Sequence, residues 1–182
     1  MTEPASVTIS PLRRRHLRAV LRIEKAVYPT PWSMGLYLAE LSAPTGRTYL
    51  VARSGSRVVG YGGTMHVVDE AHVTTLAVHP HRHGRGIGAR LLLALVRDAV
   101  AEGLTSLTLE VRADNAAAQA LYRRFGLAPV GVRRGYYRPS GPAPAADAVV
   151  MGAEDIGGAA YGARLDRIEA ALAGSATGGG SR

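Results

Sequence analysis

The chain predicts a single α/β domain, and three features predict it. Apolar residues switch repeatedly between a period of two and a period near 3.6. A strand-like run at 75–78 feeds a loop dense in Gly and Arg. That loop opens an amphipathic segment with Leu91, Leu92, Leu95, Val96 and Ala99 at helical spacing. At 182 residues the chain can bury one sizeable core.

Each element can be justified in order. Residues 1–6 read as loose, and 7–10 as a short strand. Leu17, Val20, Leu21 and Val27 mark a first helix. Pro29 and Pro31 separate it from a second, for which Ser33 is the cap and Met34, Tyr37, Leu38 and Leu41 the apolar face. Strands follow at 48–53, 57–66 and 71–78, the first two joined by Ser54-Gly55-Ser56. Gly60, Gly62 and Gly63 interrupt the middle strand, a mark of a bulge or a close backbone approach. A third helix at 88–102 has Gly103 at its end. The strand at 105–111 puts Leu107, Leu109 and Val111 on one face, and Asp114 or Asn115 starts a helix at 116–124. Closing strands at 130–133 and 148–151 flank a connecting loop at 140–146. After Ile156 small residues dominate. Residues 1–156 are therefore read as the folded domain and 157–182 as a flexible Gly/Ala/Ser-rich tail; helical potential at 163–173 leaves a docking helix as the other reading.

Composition narrows the function classes. There is no cysteine, which excludes disulfides, thiolate metal sites and a cysteine nucleophile. No apolar run approaches the ~20 residues of a membrane span, and no signal-peptide core is visible, so a cytoplasmic location is the default expectation. The net charge of +8 is carried almost wholly by Arg. It fits a solvated surface, or attraction to polyanions such as coenzyme phosphates or RNA-rich surroundings. Arg13, Arg14, Arg15, Arg18 and Arg22 form the densest cluster. No aromatic residues interleave it, so no direct nucleic-acid site is expected.

The loop after residue 78 is the main functional signal. First-turn N–H groups of a helix lack intrahelical partners and carry the positive end of the dipole. Gly84, Gly86 and Gly88 would let a phosphate approach the backbone closely. An ordinary glycine turn before a helix fits the same spacing. A Walker-type loop is not supported, since Lys25 is the only lysine. A dinucleotide fingerprint is weak, because Glu110 lies within the next strand instead of at its tip. His79, His81 and His83 alternate in a loop with no carboxylate or helical i, i+4 partner, so no metal site is expected.

Downstream motifs complete the pattern: Leu109-Glu110-Val111-Arg112, Asn115, Ala118-Gln119-Ala120-Leu121-Tyr122, Arg133-Arg134-Gly135-Tyr136-Tyr137 and Asp147-Ala148-Val149-Val150-Met151. With Asp69-Glu70-Ala71 and Thr75-Leu76-Ala77-Val78 they resemble the GCN5-related N-acetyltransferase (GNAT) superfamily. The branch they are most similar to is the bacterial ribosomal-protein-alanine N-acetyltransferases. The resemblance runs from about Ile23 through Met151 and implies a single-domain GNAT fold of α/β (α+β) class. Its mixed central sheet would have about six to seven strands, flanked by about four helices. Two departures stand out. His83 occupies a position usually Gln or Arg, which makes that side-chain contribution sensitive to pH. Phe125-Gly126-Leu127 replaces a common Gly-Phe arrangement, for which only repacking is expected.

The resemblance also implies a chemistry. Acetyl transfer from a thioester needs a neutral amine, a stabilised oxyanion and a proton for the thiolate. An α-amine, with pKa about 7.7–8.0 against about 10.4 for lysine, is the easier nucleophile at neutral pH. Glu110 is implied as proton acceptor, although a surface carboxylate paired with Arg112 or Arg133 fits the same strand position. Tyr122 is implied as general acid, although a core tyrosine with a polar tip fits too. Acetyl-CoA would be gripped by Leu76, Ala77 and Val78, which supply the oxyanion donor, and by Gly84, Arg85, Gly86, Ile87, Gly88 and Ala89. Asn115 would contact the coenzyme or cap a helix. Glu70, Tyr136 and Tyr137 match positions around the peptide entrance, with Glu24, Trp32 and Asp147 as lesser candidates. No metal is implied. The expected partner is the N-terminus of a ribosomal protein or another peptide. Acetylation of a small amine or lysine, and a ribosome-associated coenzyme-binding module, stay open as alternatives.

Overall fold

Seven strands form one sheet: β1 (Val7–Pro11), β2 (Arg47–Ser54), β3 (Arg57–Val67), β4 (Glu70–Val78), β5 (Ser106–Arg112), β6 (Ala128–Tyr137) and β7 (Ala146–Glu154). Their spatial order is β1-β2-β3-β4-β5-β7-β6. β4 and β5 run parallel and the other neighbours antiparallel, so the sheet is mixed. A parallel step needs a crossover, and helix α3 (Ile87–Ala101) supplies it. The computed structural model describes residues 6–43, 45–139, 141–142 and 144–177. Residues 1–5 and 178–182, and positions 140 and 143 of the expected connecting loop, lie outside that set, as does 44.

Helices cover both faces. On one side α1 (Leu17–Val27) and α2 (Met34–Ser42) close a core of Leu17, Val20, Ile23, Tyr37, Tyr49 and Tyr61. Ser33 caps α2, its Oγ accepting from Leu36 N at 3.2 Å. On the other side α3, α4 (Ala116–Arg124) and α5 (Ala159–Thr177) pack on Leu107, Leu109, Val111 and Met151. The glycines of β3 do what their spacing implies. The ladder shifts register between Gly63 and Thr64, and a Cβ on Gly63 would fall inside the Tyr49 ring.

The tail is where the structure departs from the sequence reading. Residues 159–177, expected to be flexible, form a helix whose Tyr161, Leu165, Ile168 and Leu172 are buried. These four sit at spacings of three to four, so one apolar stripe meets the core despite the small residues between. Polar contacts fix it: Arg97 reaches Asp166 and Glu169, both at 2.7 Å, and Tyr161 Oη donates to the Phe125 carbonyl at 2.7 Å. Five helices therefore flank the seven-stranded sheet among the described residues, in keeping with the about four helices and six to seven strands expected. No helix among those residues is long and apolar enough to cross a membrane.

Candidate active site

The parallel pairing of β4 with β5 ends at Val73 opposite Leu109, and beyond that point the strands part. On the β4 side of the opening, the Leu76 carbonyl accepts from Tyr28 Oη at 3.0 Å. His83 Nε2 meets the Val78 carbonyl at 2.8 Å. A carbonyl can only accept, so that nitrogen carries the proton. In an extended strand each residue's N–H points the same way as its C=O, so the N–H groups of Leu76 and Val78 also face the opening. Ala77 between them turns its carbonyl toward Gly60 of β3 and its methyl into the α1–α2 core.

The loop from β4 to α3 bends through a short 3-10 turn, Pro80–Arg82. Gly84 (φ 73°) and Gly86 (φ 70°) then adopt left-handed backbone. Gly86 is the N-cap of α3 and has no side chain to offer. The first-turn N–H groups of Ile87, Gly88 and Ala89 are thus left for an external anion. Arg85 stands exposed beside them. A Cβ on Gly88 would meet its neighbours only at ordinary contact distance (3.5 Å and more), so the protein's own packing does not demand that glycine. Among the described residues no three or more His, Asp or Glu side chains are arranged to hold a metal ion.

Glu110 is the first residue of β5 past the last pair with β4, and its side chain is only 9% exposed. Alternation sends it away from Leu109 and Val111, which enter the core. Arg133 Nε approaches Oε1 at 3.1 Å and His72 Nε2 approaches Oε2 at 3.0 Å. Of the two arginines considered from sequence, Arg112 is turned away and holds Asp114 at 2.8 Å.

Tyr122 extends from α4 and is buried. Burial raises its phenol above the usual tyrosine range, and the neighbouring phenols of Tyr28 and Tyr137 push the same way. Tyr137 Oη donates to the Glu110 carbonyl at 3.2 Å, and burial pushes that phenol up to about 12. Tyr136, 48% exposed, packs edge-on against Tyr137 with ring centroids 5.1 Å apart. Arg133 lies over the Tyr136 ring and Arg112 over the Tyr137 ring. Asn115 caps α4, its Oδ1 accepting from Ala118 N at 3.0 Å.

The remaining candidates fall in different places. Glu24 is buried, accepting from Tyr37 Oη at 2.5 Å and Trp32 N at 3.3 Å, so it organises the α1–α2 connection. Asp147 Oδ1 accepts from Gly135 N at 2.8 Å and shapes the turn before Tyr136. Glu70, at the start of β4, accepts from Thr108 Oγ1 at 2.7 Å. Sequence reasoning passes over Tyr28 and His72. The Tyr28 ring arrives from the end of α1, which no strand pattern foretells. His72 shares the alternation of Glu70, but only the β4–β5 register, which pairs it with Thr108, reveals its neighbours.

Comparison with known proteins agrees with this geometry. Residues 17–127 match the acetyltransferase (GNAT) family. The N-alpha-acetyltransferase RimI of Mycobacterium tuberculosis (strain H37Rv) is 42% identical over 156 residues, spanning 82% of this chain and 92% of that protein. The ribosomal protein bS18-alanine N-acetyltransferase of Salmonella typhimurium is 36% identical over 132 residues, 71% of this chain and 86% of its own. The crystal structure of the ribosomal-protein-S18-alanine N-acetyltransferase from Escherichia coli superposes with a TM-score of 0.74 at 31% identity, covering 82% of this chain and 94% of that one. With the matched segment running through the parted strands, the glycine loop and α4, the chain belongs to the acetyltransferase (GNAT) family.

Proposed function

We propose that the protein transfers the acetyl group of acetyl-CoA to the N-terminal α-amine of a protein, an alanine at the start of a ribosomal protein, with Glu110 as base and Tyr122 as acid. The observation that carries this reading is the position of Glu110, the first β5 side chain where β4 and β5 separate. The relatives named above support the acceptor class.

The residues divide the work by location. Main-chain N–H groups across Gly84, Arg85, Gly86, Ile87, Gly88 and Ala89 receive the coenzyme's pyrophosphate at the positive end of α3. Leu76 and Val78 direct N–H groups at the thioester carbonyl, where negative charge develops, and Ala77 fixes their direction from within the core. Asn115 holds the start of α4 so that Tyr122 faces the departing sulfur. The raised phenol stays protonated at neutral pH and is available to give its proton to the thiolate. Glu110 takes a proton from the incoming ammonium, directly or through one water, and the neutral amine so formed attacks the thioester. Glu70, Tyr136 and Tyr137 line the approach of the peptide, the last anchored on the Glu110 carbonyl.

A panel of peptides tests the reading. One set begins with alanine, one with other residues, and one is blocked at its N-terminus so that a lysine is the free amine. Thiol release with the alanine set and little with the blocked set is the expected result. Equal rates on blocked peptides would overturn the α-amine assignment. Ribosomal proteins from a deletion strain should lose an acetyl group from an N-terminal alanine by mass spectrometry; an unchanged pattern would rule out a ribosomal acceptor.

A further inference from the structure

A base that collects a proton at each turnover must also release it, and Glu110 is too enclosed to do so freely. Its Oε1 faces Arg133 and its Oε2 faces His72 Nε2. The other ring nitrogen, His72 Nδ1, lies 3.0 Å from Thr108 Oγ1, and that hydroxyl donates to Glu70 Oε1 at 2.7 Å. These contacts set four side chains in one line, Glu110–His72–Thr108–Glu70, along the sheet face opposite the α3 core: both Thr108 contacts are hydrogen bonds, and Glu110 and His72 stand close enough for one to form when Glu110 is protonated. We propose that His72 is a positioning residue for Glu110 that also gives it a proton outlet, passing the proton through Thr108 to Glu70. The proposal rests on Glu110 being the base.

Hydrogen-bond counting gives the line its direction. With the Thr108 hydroxyl proton committed to Glu70, Thr108 Oγ1 can only accept from His72, so Nδ1 carries a proton. A neutral ring then has a bare Nε2, which can accept from Glu110 once that carboxylate is loaded. The transfer balances in one shift. The proton on Glu110 Oε2 moves to Nε2, the Nδ1 proton moves to Thr108 Oγ1, and the threonine's own proton moves to Glu70. Glu110 is left as carboxylate and Glu70 as carboxylic acid, which discharges to water. The ring, 22% exposed, regains its starting tautomer by exchange with water.

The surroundings leave few competing routes. On β3 the residues registered beside His72 and Glu70 are Met65 and Val67, neither of which titrates. On β5 the charged neighbours are Glu110 and Arg112, the latter occupied by Asp114. On β6 Arg133 takes the other oxygen of Glu110.

The experiment measures kcat and KM across pH, together with calorimetric acetyl-CoA binding, for the full chain and its variants on an alanine peptide. In His72→Ala, kcat should fall about tenfold or more while both KM values stay within about twofold, because binding is untouched and proton removal is not. Added imidazole should restore the rate in proportion to its free-base concentration. His72→Gln, which still reaches Glu110 but passes no proton, should remain slow. Thr108→Val, with the ring in place and the line cut, should also be slow and shift the pH profile. Wild-type kcat in His72→Gln alongside an inactive Glu110→Gln would overturn the outlet and leave Glu110 as base. Recovery in His72→Gln without imidazole rescue of His72→Ala would reduce His72 to a structural prop. Full activity in Glu110→Gln, or no turnover by the wild type, would overturn both the outlet and the function it rests on. Should His72→Ala fail to fold, Thr108→Val and Glu70→Gln decide alone: unchanged kcat in both refutes the line.

Discussion

The Tyr122 phenol is raised above 10.0 mainly because the core around it disfavours a phenolate. A general acid works only while protonated, so raising it moves the alkaline loss of activity upward. The expected kcat profile is therefore flat on its alkaline side through at least about pH 10, the usual tyrosine value. A descending limb centred well below that would assign the acid to another group. Tyr122→Phe should lower kcat by about 10²–10⁴-fold while coenzyme affinity changes little, because the ring still fills its place. Gly86 offers a second test. A side chain there would have to hold φ 70° and would bring its Cβ to 3.1 Å from Leu172 Cδ2. Gly86→Ala should cost about 1–2 kcal/mol of stability by chemical denaturation and weaken acetyl-CoA binding in calorimetry. At this scale the site was partly legible. Glu110 and Tyr122 sit in contiguous motifs whose resemblance to the family singles them out as candidates, while their spacing alone fits a surface carboxylate and a core tyrosine equally well. His72 is separated from Glu110 by a helix and a crossover, and no local pattern encodes strand register across such a gap.

Helix α5 shows the same limit for whole elements. The strands, Ser33 as cap and the α3 stripe were readable because each carries a strong local period or a capping residue. The segment after Ile156 does carry a helical period, in Tyr161, Leu165, Ile168 and Leu172, but the alanines and glycines around that stripe mimic a linker. What decides its state is a partner: Leu172 packs against Gly86 at the start of α3, and Arg90 reaches the Leu172 carbonyl at 2.5 Å. Such long-range burial is invisible to composition. β6 and β7 likewise run longer than the 130–133 and 148–151 expected, because pairing with each other extends them past their apolar centres. Leu172→Ala should destabilise the protein by about 2–5 kcal/mol, since it removes a buried side chain packed against the start of α3. Because that helix start is also the anion site, acetyl-CoA should stabilise this variant less than it does the wild type. A variant ending at residue 156 that melts at the wild-type temperature would restore the flexible-tail reading.

For the molecule as a whole, buried phenols should dominate the response to alkali. Burial is the leading cause of the upward shifts of Tyr28, Tyr37, Tyr49, Tyr61, Tyr122, Tyr137 and Tyr161. Unfolded, these groups titrate near 10.0; folded, they hold their protons to higher pH. The stability they represent is complete below the unfolded value and is lost as pH rises from there toward the folded values, because the unfolded chain releases protons first. Lysine chemistry cannot produce the same fall. The chain has one lysine, and among the described residues the permanently charged cations in its ion pairs are arginines. Arginine keeps its charge far beyond this window. Urea unfolding should therefore give a nearly constant free energy from about pH 8 to 9 and a steep decline above about pH 10. Tyr61→Phe removes a phenol that is fully buried among Tyr37 and the α1–α2 core. Whatever it does to stability at neutral pH, it should make the alkaline decline shallower. An undiminished slope in that variant, or a decline already under way near pH 9, would place the sensitivity outside the tyrosine core.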